Sequence, residues 1–87
     1  MTLNDILPTG IYQHYKGKHY LVLGIAQHSE TDERLVVYVP LYEHSGAAMS
    51  VRPLAMFCED VEINGEKKPR FRYVGSEMLK PYGVVYG

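Results

Sequence analysis

Any chemistry done by this chain would draw on four histidines, one cysteine and eight tyrosines. His14 and His19 stand at an interval that metal ligands use, and Cys58 is the only thiol. No metal site is expected from them. The two histidines fall on adjacent strands of the hairpin argued below, with the cation Lys16 opposite His19 where zinc would want an anion, and Cys58 has no second cysteine beside it. Cys58 is also a weak nucleophile, because the charges of Glu59 and Asp60 raise a thiol pKa. His28-Ser29-Glu30-Thr31 gathers an imidazole, a hydroxyl and a carboxylate. Consecutive residues of a turn point in different directions, so they cannot line up as nucleophile, base and orienter. Ser29 and Thr31 are expected to cap turn backbone groups instead. The chain has no glycine-rich phosphate loop and no nucleophile elbow. The residues therefore predict no catalytic activity, no metal and no cofactor.

The dimensions of the chain agree. At 87 residues it buries roughly 60–65% of the surface its unfolded form exposes, which leaves few side chains for an elaborate active site. Nine Lys and Arg against ten Asp and Glu leave a net charge of −1 and no strong field for nucleic acid or anionic membrane. The first ten residues, with Asp5 and no basic or long apolar stretch, do not read as a secretory signal, and no run is long enough to span a membrane. A cytoplasmic protein without membrane contact is expected, and a lone cysteine fits a reducing compartment. Against two Phe and no Trp, eight tyrosines mean that almost every ring carries a hydroxyl in need of water or a partner.

The elements that would position these groups are strands. Residues 10–16 and 19–28 are rich in Tyr, Val, Ile and Leu and flank Gly17-Lys18, which predicts a hairpin with a two-residue turn. A third strand over 34–42 follows the polar tetrad Ser29-Glu30-Thr31-Asp32. A short strand over 48–53 leads into LAMF at 54–57, a single helical turn. Asn64-Gly65 readily takes the two positive φ angles of a type I′ turn and predicts a second hairpin, with Glu62 opposite Lys67 and Glu59 opposite Arg70. That pairing matters, because Lys67-Lys68-Pro69-Arg70-Phe71-Arg72 would otherwise resemble a nucleic-acid patch. The expected fold is all-β, a small SH3-like barrel of about five antiparallel strands with one short helical turn. The expected layout is an N-terminal extension over 1–8, one domain over 9–73 and a tail over 74–87.

Alternation along the first three strands sorts the side chains onto two faces. Ile11, Tyr15, Tyr20, Val22, Gly24, Ala26, Leu35, Val37, Val39 and Leu41 form the expected core. Tyr12, His14, Lys16, His19, Leu21, Leu23, Ile25, Val36, Tyr38, Pro40 and Tyr42 form a second face, too apolar to be left bare. Either another element covers that face or a partner does. A slip of one residue in any strand would exchange its two sides.

In order along the chain stand Tyr12-x-His14-Tyr15-Lys16-Gly17, Ala26-x-His28-Ser29-Glu30-Thr31, Tyr38-x-x-Leu41-Tyr42, Val51-Arg52-Pro53 and Pro69-Arg70-Phe71. With this spacing the sequence over 8–73 resembles a small bacterial family, domain-of-unknown-function family 1653. The resemblance implies a compact, β-rich cytosolic protein and implies no reaction. In one respect the chain departs from the family: Ser50 stands before Val51-Arg52-Pro53, where the family has an aromatic residue.

Two functional expectations follow. The first is a non-catalytic module that holds a protein partner through Tyr12, His14, Lys16, Tyr38, Tyr42 and Arg52, since Tyr and His offer flat area and hydrogen bonds at low entropic cost. The alternative is a single-stranded RNA-binding module, in which tyrosines stack on bases and Lys16, Arg52, Arg70 and Arg72 meet phosphates; the near-zero net charge opposes it.

Overall fold

The structure is a computed structural model and describes residues 7–75. Seven strands and one helical turn follow in order: β1 (Gly10–His14), β2 (His19–Gln27), β3 (Arg34–Pro40), β4 (Ser50–Pro53), α1 (Leu54–Phe57), β5 (Asp60–Ile63), β6 (Glu66–Pro69) and β7 (Phe71–Gly75). The parts of the expected extension and tail at 1–6 and 76–87 lie outside the described residues.

Strands β4-β3-β2-β1-β7 make one antiparallel sheet, and β5 pairs with β6 in a separate two-stranded sheet. The expected mainly-β fold is present. Closure into a barrel is not: among the described residues β4 and β7 remain the two edges of the larger sheet. After the second hairpin the chain breaks at Arg70, so that Glu66–Pro69 serves the smaller sheet and Phe71–Gly75 the larger. Proline explains the break. Pro69 has no N–H for a ladder and ends β6; Arg70 still bonds Glu59 O through its N–H, and from Phe71, opposite His14, the chain pairs with β1.

The second hairpin has the expected register, with Glu62 facing Lys67 and Asp60 facing Pro69 across Asn64 and Gly65, both at positive φ. The tetrad between β2 and β3 also turns where expected. His28 N–H donates to Glu33 O at 2.7 Å, and Asp32 N–H to His28 O at 2.9 Å. Side chains stabilise that turn from within: His28 Nδ1 accepts from Glu30 N–H at 3.1 Å, and Thr31 Oγ1 accepts from Glu33 N–H at 3.2 Å. Thr31 thus caps as expected, and His28 is a structural acceptor of backbone N–H groups.

The first hairpin differs from expectation. Gly17 N–H donates to His14 O at 2.7 Å and His14 N–H to Lys18 O at 2.8 Å, so the loop contains Tyr15, Lys16 and Gly17, with Gly17 at φ 112°. This is a type I turn followed by a residue of positive φ, a form that favours glycine at the third loop position. Tyr12 consequently faces Tyr20, where a two-residue turn would have set Tyr15 against Tyr20. The second displacement lies in β2, where register shifts between Val22 and Gly24. Near the turn Gly24 faces Val37, as alternation predicts; beyond the shift Val22 faces Tyr38, not Val39. An extra residue in one strand reverses inside and outside for everything past it.

The expected core is therefore corrected in part: Ile11 and Val22 are buried as expected. The buried cluster consists of Tyr12, Val22, Val36, Tyr38, Leu54, Phe57 and Phe71, with Leu7, Tyr20 and Ile25 packed on it. Tyr15, Leu23 and Leu41 lie at the surface. Of the face left open between cover and partner, Tyr12 and Tyr38 are only 4% and 6% exposed, and the cover is α1 with β7. α1 starts where the edge strand β4 ends, and its Phe57 reaches Phe71 at the opposite edge. Each such side chain taken out of water contributes about 1.5–3 kcal/mol.

Candidate binding site

Tyrosine rings tile one end of this covered face. Tyr20 is the hub, standing edge-on to Tyr38 at 5.4 Å, to Tyr42 at 5.5 Å and to Phe71 at 5.6 Å between centroids. His14, on β1 opposite Phe71, packs edge-on to that ring at 4.9 Å. The hydroxyls find partners within the frame, as half-buried phenols must. Those of Tyr20 and Tyr42 share a hydrogen bond of 2.8 Å, and burial followed by this bond raises the Tyr20 pKa to about 12.

Arg52 closes the frame from the edge strand β4. Facing Val36 across the ladder, it projects to the inner side of the sheet. Its Nε donates to Tyr38 Oη at 3.4 Å and its guanidinium lies 5.7 Å from the Phe71 ring centroid. The group is half-buried, and among the described residues it forms no ion pair. Lys18 Nζ sits 4.2 Å from the Tyr42 ring centroid, a second cation held on a tyrosine face.

His14 records the positive potential of this region. Partial burial lowers its pKa from the ordinary 6.5, and Arg52, Arg70 and Lys16 lower it further. Its Nδ1 accepts from Lys16 N–H at 3.1 Å, so in the neutral ring the proton is on Nε2. Arg70 differs from Arg52 in having a carboxylate, Glu59 Oε1 at 2.9 Å, the cross-strand pair expected from the sequence. Its backbone ties three segments together, donating to Glu59 O and accepting from Tyr15 N–H, each at 2.9 Å.

Of the six residues that the sequence nominates, the structure brings His14, Tyr42 and Arg52 around Tyr20, with Lys16 beside them on the β1–β2 loop. Tyr38 lies behind them as core. Tyr12 faces Tyr20 across the ladder but turns its ring away from the rim, meeting Phe57 at 5.4 Å and Tyr73 at 5.2 Å, and its hydroxyl donates to Pro8 O at 2.7 Å. Sequence reasoning placed Tyr20 on the wrong face and did not nominate Phe71 or Lys18 for the site. No local signal recovers Tyr20: Gly17 as third residue of a longer loop sets Tyr20 against Tyr12, but glycine fits a two-residue loop equally well. Among the described residues no group of three or more His, Cys, Asp and Glu could hold a metal, and no helix is long and apolar enough to cross a membrane. Cys58 is exposed, and partial desolvation raises its pKa, keeping it a thiol at neutral pH. The assembled groups can stack on flat or apolar surface and can donate charged hydrogen bonds from Arg52 and Lys18.

The model of a family described as "Protein of unknown function (DUF1653)" matches residues 10–73, which include every residue of this rim. The chain belongs to DUF1653. It is also similar to a solved protein of that family from Bordetella bronchiseptica, known from its crystal structure, with 48% identity and a TM-score of 0.77. That similarity covers 80% of this chain and 90% of the other. No curated protein matches the chain. The resemblance noted from the sequence therefore holds, and Ser50, where that resemblance leads one to expect an aromatic residue, faces Tyr38 on the neighbouring strand.

Proposed function

We propose that this chain is a non-catalytic, cytoplasmic binding module, an SH3-like bent sheet that holds a segment of a protein partner against His14, Tyr20, Tyr42 and Arg52. One observation carries the reading. Arg52 is half-buried on Phe71 with a phenol as its only hydrogen-bond partner among the described residues, so its remaining guanidinium N–H donors are left for a ligand. An inward-pointing charge on an edge strand also discourages edge-to-edge pairing. That role would not require a second cation, Lys18, held on the adjoining tyrosine. A carboxylate or backbone carbonyl of an extended segment meets Arg52, while its apolar side chains lie on the tyrosines.

The test is affinity capture with the wild-type chain and with Arg52→Gln and Tyr42→Ser, each first shown to keep its thermal transition. A single protein that is retained by the wild type, lost by both variants and bound again when purified supports the reading. Capture indifferent to both substitutions overturns it. So does salt-dependent binding of single-stranded oligonucleotides that both substitutions weaken.

A further inference from the structure

A second feature lies next to the rim and uses different cations. Between the β1–β2 loop and β6 runs a groove of about 350 Å³ lined by Gln13, His14, Tyr15, Lys68, Pro69 and Arg72. Three segments build it, and the hydrogen bond from Tyr15 N–H to Arg70 O holds the loop against the bend after β6. Alternation along β6 separates the two adjacent lysines. Lys67 faces Glu62 across the hairpin, whereas Lys68 faces Val61 and lines the groove. Arg72 faces Gln13 across the β1–β7 ladder and donates a hydrogen bond to its Oε1, which orients the guanidinium. Among the described residues neither Lys68 nor Arg72 forms an ion pair, although the chain as a whole carries a net charge of −1.

We propose that this groove is an anion site for a small phosphate-bearing molecule, with Lys68 and Arg72 holding the phosphate and the Tyr15 ring flanking the organic part. The charges fit a phosphate, which takes a fork of N–H donors from Arg and a point charge from Lys. Size and surroundings favour a small ligand over a polymer. The groove is at the lower end of the range for small-molecule sites. The hairpin that supplies Lys68 also carries Asp60, Glu62 and Glu66, with Glu59 just before it, and these would repel a phosphodiester chain leaving the groove.

His14 supplies an internal reporter. It lines the groove and faces Lys16 on the loop, Arg52 on β4, Arg70 with its partner Glu59 at the bend, Tyr20 on β2 and Phe71 on β7. An anion in the groove offsets those cations and makes the imidazolium easier to form, and by linkage the anion binds better as His14 protonates.

The experiment is an NMR titration of the full chain with inorganic phosphate, with ribose 5-phosphate and with a short oligothymidylate. The expected result is saturable shifts at Gln13, Tyr15, Lys68 and Arg72 with both small ligands, and an upward displacement of the His14 titration. The double variant Lys68→Gln/Arg72→Gln, which changes two exposed side chains, weakens phosphate binding by about tenfold or more, whereas Lys67→Gln leaves it unchanged. Three results each overturn the proposal: no saturable shift with either small ligand, an equal loss in Lys67→Gln, or oligothymidylate binding this groove more tightly than ribose 5-phosphate. The Arg52 and Tyr42 variants of the rim are not involved, so failure here is distinct from failure of the partner-binding reading.

Discussion

Phe57 and Phe71 stack with their ring centroids 4.1 Å apart and their planes 3° from parallel. One belongs to the helical turn that ends one edge strand, the other to the opposite edge strand, so a single pair of rings bridges the open side of the sheet. Phe57→Ala is expected to destabilise the chain by about 3–5 kcal/mol. For a domain this small that is a large share of roughly 5–15 kcal/mol. Urea unfolding followed by far-UV circular dichroism measures it, and a change under about 1 kcal/mol would mean that α1 is not part of the core.

Two tyrosines predict an alkaline limit. Burial, then the nearby Tyr73 and Cys58, raise Tyr12 to about 12; burial and the bond to Tyr42 raise Tyr20 to about 12 as well. In the unfolded chain both ionise near 10, so the stability they contribute is complete below pH 10 and is lost as pH rises towards 12. Spectrophotometric titration should show Tyr12 and Tyr20 ionising well above pH 10. A single transition near pH 10 for every tyrosine would contradict the burial of these two.

His14 sets the corresponding acid dependence, with the opposite sign. Its folded pKa lies below 6.5, so the folded chain prefers the neutral ring. The associated stability is present above pH 6.5 and declines as pH falls through the folded value. His14→Gln should flatten this slope when urea midpoints are compared across that interval, and an unchanged slope would refute the assignment.

The turn of the second hairpin carries a backbone prediction. Gly65 sits at φ 82° after Asn64 at φ 53°. Gly65→Ala should cost about 1–2 kcal/mol, the strain of a side chain in left-handed backbone. Amide exchange in β5 and β6 reads it directly, because among the described residues those strands pair only with each other. Unchanged protection of Val61 and Lys68 would refute it.

Local signals were legible in the sequence, and registers over a distance were not. Asn64-Gly65 gave the pairing of Glu62 with Lys67 because a turn of that type leaves no choice of register. LAMF gave α1, and Ser29 to Asp32 gave the turn between β2 and β3. Gly17 misled, since glycine serves two-residue and three-residue loops alike and nothing local distinguishes them. In LVLGIA the isolated Gly24 is a general sign of a bulge but does not say which residue the ladder skips; the packing of Tyr38 and Val36 against α1 and β7 settles that. The nominated site shared that fate. His14, Lys16, Tyr42 and Arg52 survive at the rim because they flank turns or sit on an edge strand, whereas Tyr12 and Tyr38 depended on a face that the longer loop and the shift in β2 turned inward.

The shift in β2 has a consequence for descent. Leu23 is the residue skipped by the β2–β3 ladder and stands half-exposed, so its own identity is of little account to the core. Its presence sets the local twist more than the pairing: without Leu23, Val22 would still face Tyr38 and Gly24 would still face Val37 in an unbroken ladder, with Tyr38 and Val36 on the inner side. The stretch 43–49 is exposed throughout and lies in no strand. Homologous genes should therefore drift freely in spelling at Leu23, tolerate the loss of that one codon, and collect their other insertions and deletions in 43–49.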